Sequence, residues 1–350
     1  LEVVHTPSLP DRFSEARFVI ASQQVQDVVD QLTGLGFGEF YSALELLEGY
    51  DVKRYEHRIA ASYMETRISV YKTTHAAYFD DEKTYMRSLD VMITTKCSLK
   101  CESCSNLMQY YVDPSNVAVE QTLDAIKTLD ECVDEISEFR VIGGEPLMNR
   151  EWANIVNGIV EGKAGRKVFI YTNGTISPRD DQLESFVGKD INFIVTDYGR
   201  LSRNVHKLVD KLSKYDINFV AKAAENWLDC SSIRHHNRSR SELKEVFKQC
   251  CVKYVYTLLD GRLFRCPFIA NATNLKAIPD NPNDYVDLTG VQEGMKQKIR
   301  KLVRARHFFP GCDFCDGRPY DPSSKQGYDG AGMIAPGVQT ANPLPYKMYQ

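Results

Sequence analysis

The chain has 350 residues, 26% of them charged, and a formal net charge of −4 at neutral pH. That balance offers no basic footprint for nucleic acid, and no apolar run reaches the roughly 18 residues that a membrane span needs. Ten cysteines without an apolar signal segment point to metal or redox use in a reducing compartment, so a cytoplasmic protein is expected.

The sequence begins at Leu1 rather than Met, which reads as a trimmed or processed end. Residues 1–88 read as a small α/β segment, with a strand at 18–22, an amphipathic helix at 25–35 and a second helix at 41–47. Gly34-Leu35-Gly36-Phe37-Gly38 neither follows a strand nor opens a helix, so it reads as a turn and not as a dinucleotide loop.

Residues 89–225 alternate between strand and helix patterns. Strands are expected at 89–95, 139–142, 168–171, 191–195 and 218–221. Helices are expected at 119–136, where Val119, Leu123, Ile126, Leu129 and Val133 repeat at helical spacing, and at 152–160, 183–187 and 205–212. Repeated strand–helix units imply parallel strands joined by right-handed crossovers. In such folds the active site lies at the carboxyl ends of the strands. The polar signals fall there: a cysteine loop after the first strand, Gly143-Gly144-Glu145-Pro146 after the second, Thr172-Asn173-Gly174-Thr175 after the third and Thr196-Asp197-Tyr198-Gly199 after the fourth. Gly-Gly and Asn-Gly also make ordinary turns, but Glu145 is an acid wedged between Gly and Pro.

After about residue 225 the alternation stops and cysteines return as Cys230, Cys250, Cys251, Cys266, Cys312 and Cys315. Residues 254–259 and 263–266 flank Asp260-Gly261 as a hairpin. Residues 291–308 read as a basic helix that ends before Pro310-Gly311. Residues 226–319 thus read as a second cysteine-bearing domain, and 320–350, rich in Gly, Pro and Ser, as an extended or disordered tail.

The first cysteine loop is Cys97-x3-Cys101-x2-Cys104. Three thiolates on one short loop suit an iron–sulfur cluster. Structural zinc takes four ligands, usually in C-x2–4-C pairs, and disulfide frameworks belong to short secreted chains. A four-iron cube held by three cysteines leaves one iron open to a non-protein ligand.

Together the cysteine loop, the Gly143-Gly144-Glu145-Pro146 strand end and the Thr172-Asn173-Gly174 strand end resemble radical S-adenosylmethionine (radical SAM) enzymes, over about residues 89–223. The resemblance implies a partial (β/α)6 barrel. It implies that Cys97, Cys101 and Cys104 hold three irons of a 4Fe-4S cluster and that S-adenosylmethionine takes the fourth. Gly143, Gly144 and Glu145 would hold the methionine amino group, and Asn173 and Asp197 the ribose or carboxylate. One residue departs from the family pattern: Ser103 stands where an aromatic usually precedes the third cysteine, so adenine packing is expected from Leu107, Met108 or Tyr110.

Cys251, Gly261, Cys266 and Cys312-x2-Cys315 resemble the twitch form of the SPASM/twitch extension. This implies an auxiliary 4Fe-4S cluster on Cys251 (or its neighbour Cys250), Cys266, Cys312 and Cys315, with a four-cysteine zinc ribbon as the plainer alternative. The implied reaction is hydrogen abstraction by a 5′-deoxyadenosyl radical. It would end either in dehydrogenation, the auxiliary cluster accepting an electron, or in epimerisation, a spare cysteine returning hydrogen. Cys230 and Cys250 are the candidate donors, Cys132 being a packing residue of its helix. His235 and His236, beside Glu225, Trp227, Arg234 and Arg238, read as a solvated polar loop more than as a base. The expected substrate is a small polar molecule (a carbohydrate, sugar nucleotide or aminocyclitol), with a ribosomal peptide as the second choice. The expected electron donor is a flavodoxin or ferredoxin. A non-catalytic electron-transfer protein is the reading from a different class.

Overall fold

The computed structural model describes residues 15–22, 25–54, 61–80, 82–163, 165–290, 293–324 and 328–349. The chain divides into two compact units, Leu1–Arg87 and Ser88–Gln350. In the first, β1 (Phe18–Ile20) pairs in parallel with β2 (Phe40–Ser42). Helix α1 (Val25–Gly34) buries Val25, Val29 and Leu32, a stripe at helical spacing that packs with Ile20 and Phe37.

The helix expected at 41–47 is not formed: residues 40–42 are strand, and only Leu44–Leu47 turns, as a 3-10 segment. The Ser42 hydroxyl accepts from the Leu44 amide at 3.1 Å and bonds His75 Nδ1 at 2.7 Å, a local side-chain bond that competes with helix. The 19-residue helix α2 (Ala61–Phe79) was not anticipated, because its polar and aromatic residues make no apolar stripe.

The second unit is built on alternating elements. These are β3 (Leu89–Met92), α3 (Val119–Cys132), β4 (Phe139–Ile142), α4 (Trp152–Gly162), β5 (Val168–Thr172), α5 (Asp180–Glu184), β6 (Ile191–Asp197), α6 (Val205–Lys214) and β7 (Asn218–Ala223). The expected strands are all present, and the helices differ from expectation at their ends. Helix α3 stops at Cys132 and not at 136, and the short helix lies at Asp180–Glu184, ahead of 183–187.

Beyond them come β8 (Trp227–Leu228), α7 (Arg240–Gln249), β9 (Tyr256–Leu259), β10 (Arg262–Phe264), α8 (Pro267–Asn274), β11 (Tyr285–Asp287), α9 (Met295–Val303) and β12 (Met333–Ile334). The basic helix is therefore shorter than residues 291–308; 291 and 292 lie outside the described residues.

Among the described residues, eight strands make one sheet in the order β11-β10-β9-β3-β4-β5-β6-β7. The hairpin expected at 254–266 is there, turning at Asp260 (φ 47°) and Gly261 (φ 72°), the left-handed pair of a type I′ turn. Its first strand, β9, also runs parallel to β3. The cysteine-bearing half thus supplies a sixth parallel strand to the sheet, in keeping with a partial barrel. Strands β3 and β9 are buried throughout, as sheet strands covered on both faces must be.

The described part of the tail is extended and docked. Strand β12 pairs antiparallel with β8, and the amides of Glu102 and Thr340 link residues 338–340 to the cysteine loop through the Val338 and Lys100 carbonyls.

Candidate active site

Two strand-end loops fix the cysteine loop from below. The Gly144 amide donates to the Thr94 carbonyl at 3.1 Å, and the Glu145 amide to the Lys96 carbonyl at 2.8 Å. A Cβ at Gly143 would stand 2.4 Å from the Thr94 oxygen, and one at Gly144 would stand 2.3 Å from the Lys96 oxygen and 2.6 Å from Cys97 Cβ. Glycine is required here because backbone meets backbone.

Glu145 is fully buried, and its carboxylate faces inward. Oε1 accepts from Thr172 Oγ1 at 2.9 Å and from the Leu147 amide at 3.2 Å, while Oε2 accepts from the Asn173 amide at 2.8 Å. The side chain therefore ties the second strand end to the third. Burial pushes its pKa up to about 7, against the pull of those donors. Asn173 in turn holds Thr175 through Oδ1 and reaches Ser98 Oγ at 3.2 Å and Cys97 Sγ at 3.8 Å through Nδ2. The Asp197 carboxylate closes its own turn by accepting from the Gly199 amide at 2.8 Å.

A cavity of about 510 Å³ opens over this edge of the sheet. Cys97, Cys101, Cys104, Gly143, Gly144 and Asn173 line one side, and Cys230, Cys251 and Arg318 another. Asp90, Arg140 and Tyr171 reach it from the strands. Glu145 and Asp197 do not line it, so any contact they make with a ligand would pass through the backbone and turns they hold. Burial pushes the Cys97 and Cys104 thiols up and takes Cys101 to about 11. As free thiols they would stay protonated at neutral pH, so a bound metal must replace their protons.

Ser103 has φ 51°, and its hydroxyl donates to Asp229 Oδ1 in place of presenting a ring. Of the residues expected to replace that ring, Met108 lines the cavity; Leu107 is fully buried and Tyr110 bonds the Ser231 carbonyl at 3.0 Å. The aromatic wall comes from Tyr198 and Trp227, rings 6.0 Å apart that both line the cavity. The buried indole Nε1–H has no hydrogen-bond partner. Tyr198 stands beside the Asp197 strand end, and that position was the only signal available in the sequence.

The later cysteines form a second group. The sulfurs of Cys250, Cys266 and Cys315 all act on Cys312, raising its pKa beyond what burial does. Cys250 responds likewise to Cys266, Cys315 and its neighbour Cys251, and Cys251 responds to Cys315. Cys266 caps α8 by accepting from the Ile269 amide, and Cys312 accepts from the Phe309 amide. Cys251 is exposed toward the cavity that Cys230 shares. Cys250, Cys266, Cys312 and Cys315 thus lie within electrostatic reach of one another, with Cys251 at the edge of the group and on the cavity. Of the two neighbours that the sequence leaves open as the ligand, Cys250, also expected as a hydrogen donor, does not line the cavity, and Cys251 does.

His235 and His236 do not reach the cavity. His235 pairs with Asp313 at 2.9 Å and His236 with Asp329 at 3.1 Å, while Arg238 donates to the Cys315 carbonyl at 2.9 Å. This loop wraps the Cys312–Cys315 segment. Arg318, missed in the sequence, is a fully buried guanidinium between the two groups, donating to the Ser105 carbonyl at 3.0 Å. Burial opposes its charge, and the sulfurs of Cys230, Cys315, Cys266 and Cys250 more than offset that.

Among the described residues, no three His, Cys, Asp or Glu side chains converge as the ligands of one ion would. A cubane sets each thiolate on its own iron, so its ligands need not converge. The loop fits such a group: three thiols face one cavity, and the glycine edge beside them has room for no side chain.

Residues 91–232 match the model of the Radical SAM superfamily. The chain is 31% identical to GTP 3′,8-cyclase of Haemophilus ducreyi over 120 residues, 33% of this chain and 34% of the relative. It is 30% identical to GTP 3′,8-cyclase of Synechocystis sp. over 95 residues, 27% of this chain and 28% of the relative. The match thus spans about a third of the length of these curated relatives. Among solved structures the chain is similar to BtrN in complex with AdoMet and 2-DOIA, at 14% identity and TM-score 0.42 over 75% of this chain and 98% of that one. It is also similar to anSMEcpe with bound AdoMet, at 11% identity and TM-score 0.42 over 62% and 82%. No helix among the described residues is long and apolar enough to cross a membrane.

Proposed function

The chain carries a radical SAM domain over residues 91–232, and from that premise we propose that it abstracts hydrogen from a small polar substrate held in the cavity beside Cys97, Cys101 and Cys104. When bound, a 4Fe-4S cluster with S-adenosylmethionine supplies one-electron cleavage of the sulfonium and a 5′-deoxyadenosyl radical. The chain's own residues hold, orient and shield. Cys97, Cys101 and Cys104 hold the cluster. Gly143 and Gly144 let backbone approach the ligand closely, and Glu145 keeps the Asn173 turn in place beside it. Tyr198 and Trp227 pack the adenine, with the Trp227 Nε1–H as a donor to it.

Cys250, Cys266, Cys312 and Cys315 hold an auxiliary 4Fe-4S cluster in this proposal. A group with all four protein ligands in place suits dehydrogenation. An epimerisation would draw its hydrogen from Cys230 or Cys251, the two spare thiols lining the cavity. A flavodoxin or ferredoxin would supply the electron.

The observation that carries this reading is the single cavity shared by the three-cysteine loop, the glycine strand end and the polar inner face of the sheet. Its volume of about 510 Å³ must hold S-adenosylmethionine as well as the substrate, and the charged side chains Asp90 and Arg140 on its wall favour a small polar molecule. Anaerobic reconstitution with iron, sulfide and S-adenosylmethionine is the test. About eight irons per chain and 5′-deoxyadenosine on reduction are expected. Iron without binding of S-adenosylmethionine would leave an electron-transfer protein instead.

A further inference from the structure

The face of the sheet that lines the cavity carries a charged cluster belonging to neither cysteine group. Asp90 on β3 and Arg140 on β4 are register partners, and Thr257 on β9 is the partner of Asp90 on its other side. Register partners in neighbouring strands share a face. Asp90 and Arg140 line the same cavity as Cys97 and Asn173.

The hydrogen bonding within the cluster is lopsided. Arg140 spends Nε (2.6 Å) and Nη2 on one oxygen of the buried Glu138. Its remaining nitrogen, Nη1, stands 3.8 Å from Asp90 Oδ1, beyond hydrogen-bond reach. Asp90 is 7% exposed, and its buried Oδ1 makes no hydrogen bond; Thr257 Oγ1 beside it makes none either. Two carboxylates share one guanidinium, and Asp90, the one that lines the cavity, has the weaker hold on it. Burial pushes the Asp90 carboxyl up to about 7, with Arg140 lowering it and Glu138 raising it.

Stability alone does not account for this arrangement. Apolar residues of similar volume commonly replace a buried ion cluster without loss, and a buried acceptor with no donor is a standing penalty. A ligand that brings a donor and a positive charge would remove both costs.

We propose that Asp90, supported by Arg140 and Glu138, is the substrate-recognition site of the cavity, and that the substrate is a small polar amine whose ammonium group donates to Asp90. This deepens the proposed function and rests on it for the role of the cavity.

The experiment is calorimetric titration of the anaerobically reconstituted, S-adenosylmethionine-loaded protein with three probes: D-glucosamine, D-glucose and D-glucuronate. Wild type is expected to prefer glucosamine, and Asp90→Asn to lose that preference by about tenfold, as removal of a charge-assisted hydrogen bond implies. A preference for glucuronate, equal binding of glucosamine by wild type and variant, or no binding of any probe at millimolar concentration overturns the proposal. Asp90→Ser is the second variant. If both variants melt far below wild type, the cluster is a structural brace and the proposal fails. Binding of S-adenosylmethionine by the wild-type protein, titrated first in the same cell, tests the radical SAM reading separately.

Discussion

The two cysteine groups differ in how far apart in the chain their members lie and in what surrounds them. Cys97, Cys101 and Cys104 occupy one loop at a strand end, and all three face the cavity. Cys250, Cys266, Cys312 and Cys315 come from the end of α7, the cap of α8 and a separate 3-10 segment (Pro310–Phe314) with the residue after it. Around the second group, Arg238 and His235 bind the loop from outside and Arg318 lies toward the first group. A site made within one loop needs little chain closure, whereas one made from distant segments needs the fold first. In the proposed function the first is the open site for chemistry and the second a closed one for electrons.

Removing the first group should have the largest effect. Replacing Cys97, Cys101 and Cys104 together with Ala should abolish 5′-deoxyadenosine formation and leave about four irons per chain, all in the second group. Iron and sulfide analysis with product chromatography checks this. Loss of all iron would mean that the two groups do not assemble independently.

The neighbouring pair Cys250 and Cys251 sharpens the comparison further. Cys250→Ser should lose about four irons, while Cys251→Ser should keep the full complement. The reverse result would make Cys251 the ligand, the other of the two alternatives that the sequence leaves open.

That assignment shows where sequence reasoning stops. The first loop, the glycine strand end and the Asn173 turn were legible because each is a local pattern at a strand end. Which of two adjacent cysteines joins a group is set by the orientation of the chain leaving α7, where the Cys251 amide bonds the Arg318 carbonyl at 2.7 Å. No local pattern records that. Asp90 and Arg140 were missed for a similar reason, since a lone charge in a strand says nothing of its register partner. The docked tail was missed because its contacts are mostly backbone and leave no periodicity. In the first unit, the Ser42–His75 bond turned an expected helix into strand and 3-10 turn.

The segment bearing the second group also leans on a buried acid. Asp284 accepts from the Gly311 amide at 3.0 Å, next to Cys312, and burial pushes its carboxyl up to about 7, with Asp280 adding to the rise. Its folded pKa is raised above the unfolded one. Its contribution is therefore complete below about pH 4 and is lost as pH rises through about 7. The protein should lose stability across that window, by up to a few kcal/mol from this group. Asp284→Asn should flatten the dependence of the denaturation midpoint on pH. An unchanged slope would remove Asp284 from the account.

A smaller effect is expected at the glycine edge. Gly144→Ala puts a methyl group into the Lys96 carbonyl and Cys97 Cβ, atoms that only a shift of the backbone can move. Overpacking of this kind costs about 1–3 kcal/mol. Because the clash is at the first cysteine, binding of S-adenosylmethionine should weaken more than the melting temperature falls. A matched loss of both would make Gly144 a packing residue only.

The smallest predicted effect tests how open the first group is. Gln339, from the tail, donates through Nε2 to Cys101 Sγ at 3.2 Å and accepts at Oε1 from the Lys100 amide at 2.7 Å. The Thr340 amide bonds the Lys100 carbonyl at 2.8 Å, so the backbone strap survives loss of the side chain. Gln339→Ala should therefore cost only about 1 kcal/mol of stability, the worth of an ordinary hydrogen bond. The outer face of Cys101 would lose its one side-chain cover from the tail. The sharper readout is the rate of cluster loss in air, which should rise for the first group and stay unchanged for the second, followed by the fall in visible absorbance and the remaining iron. Equal lability of both groups would mean that the tail steadies the whole unit and does not shield one loop.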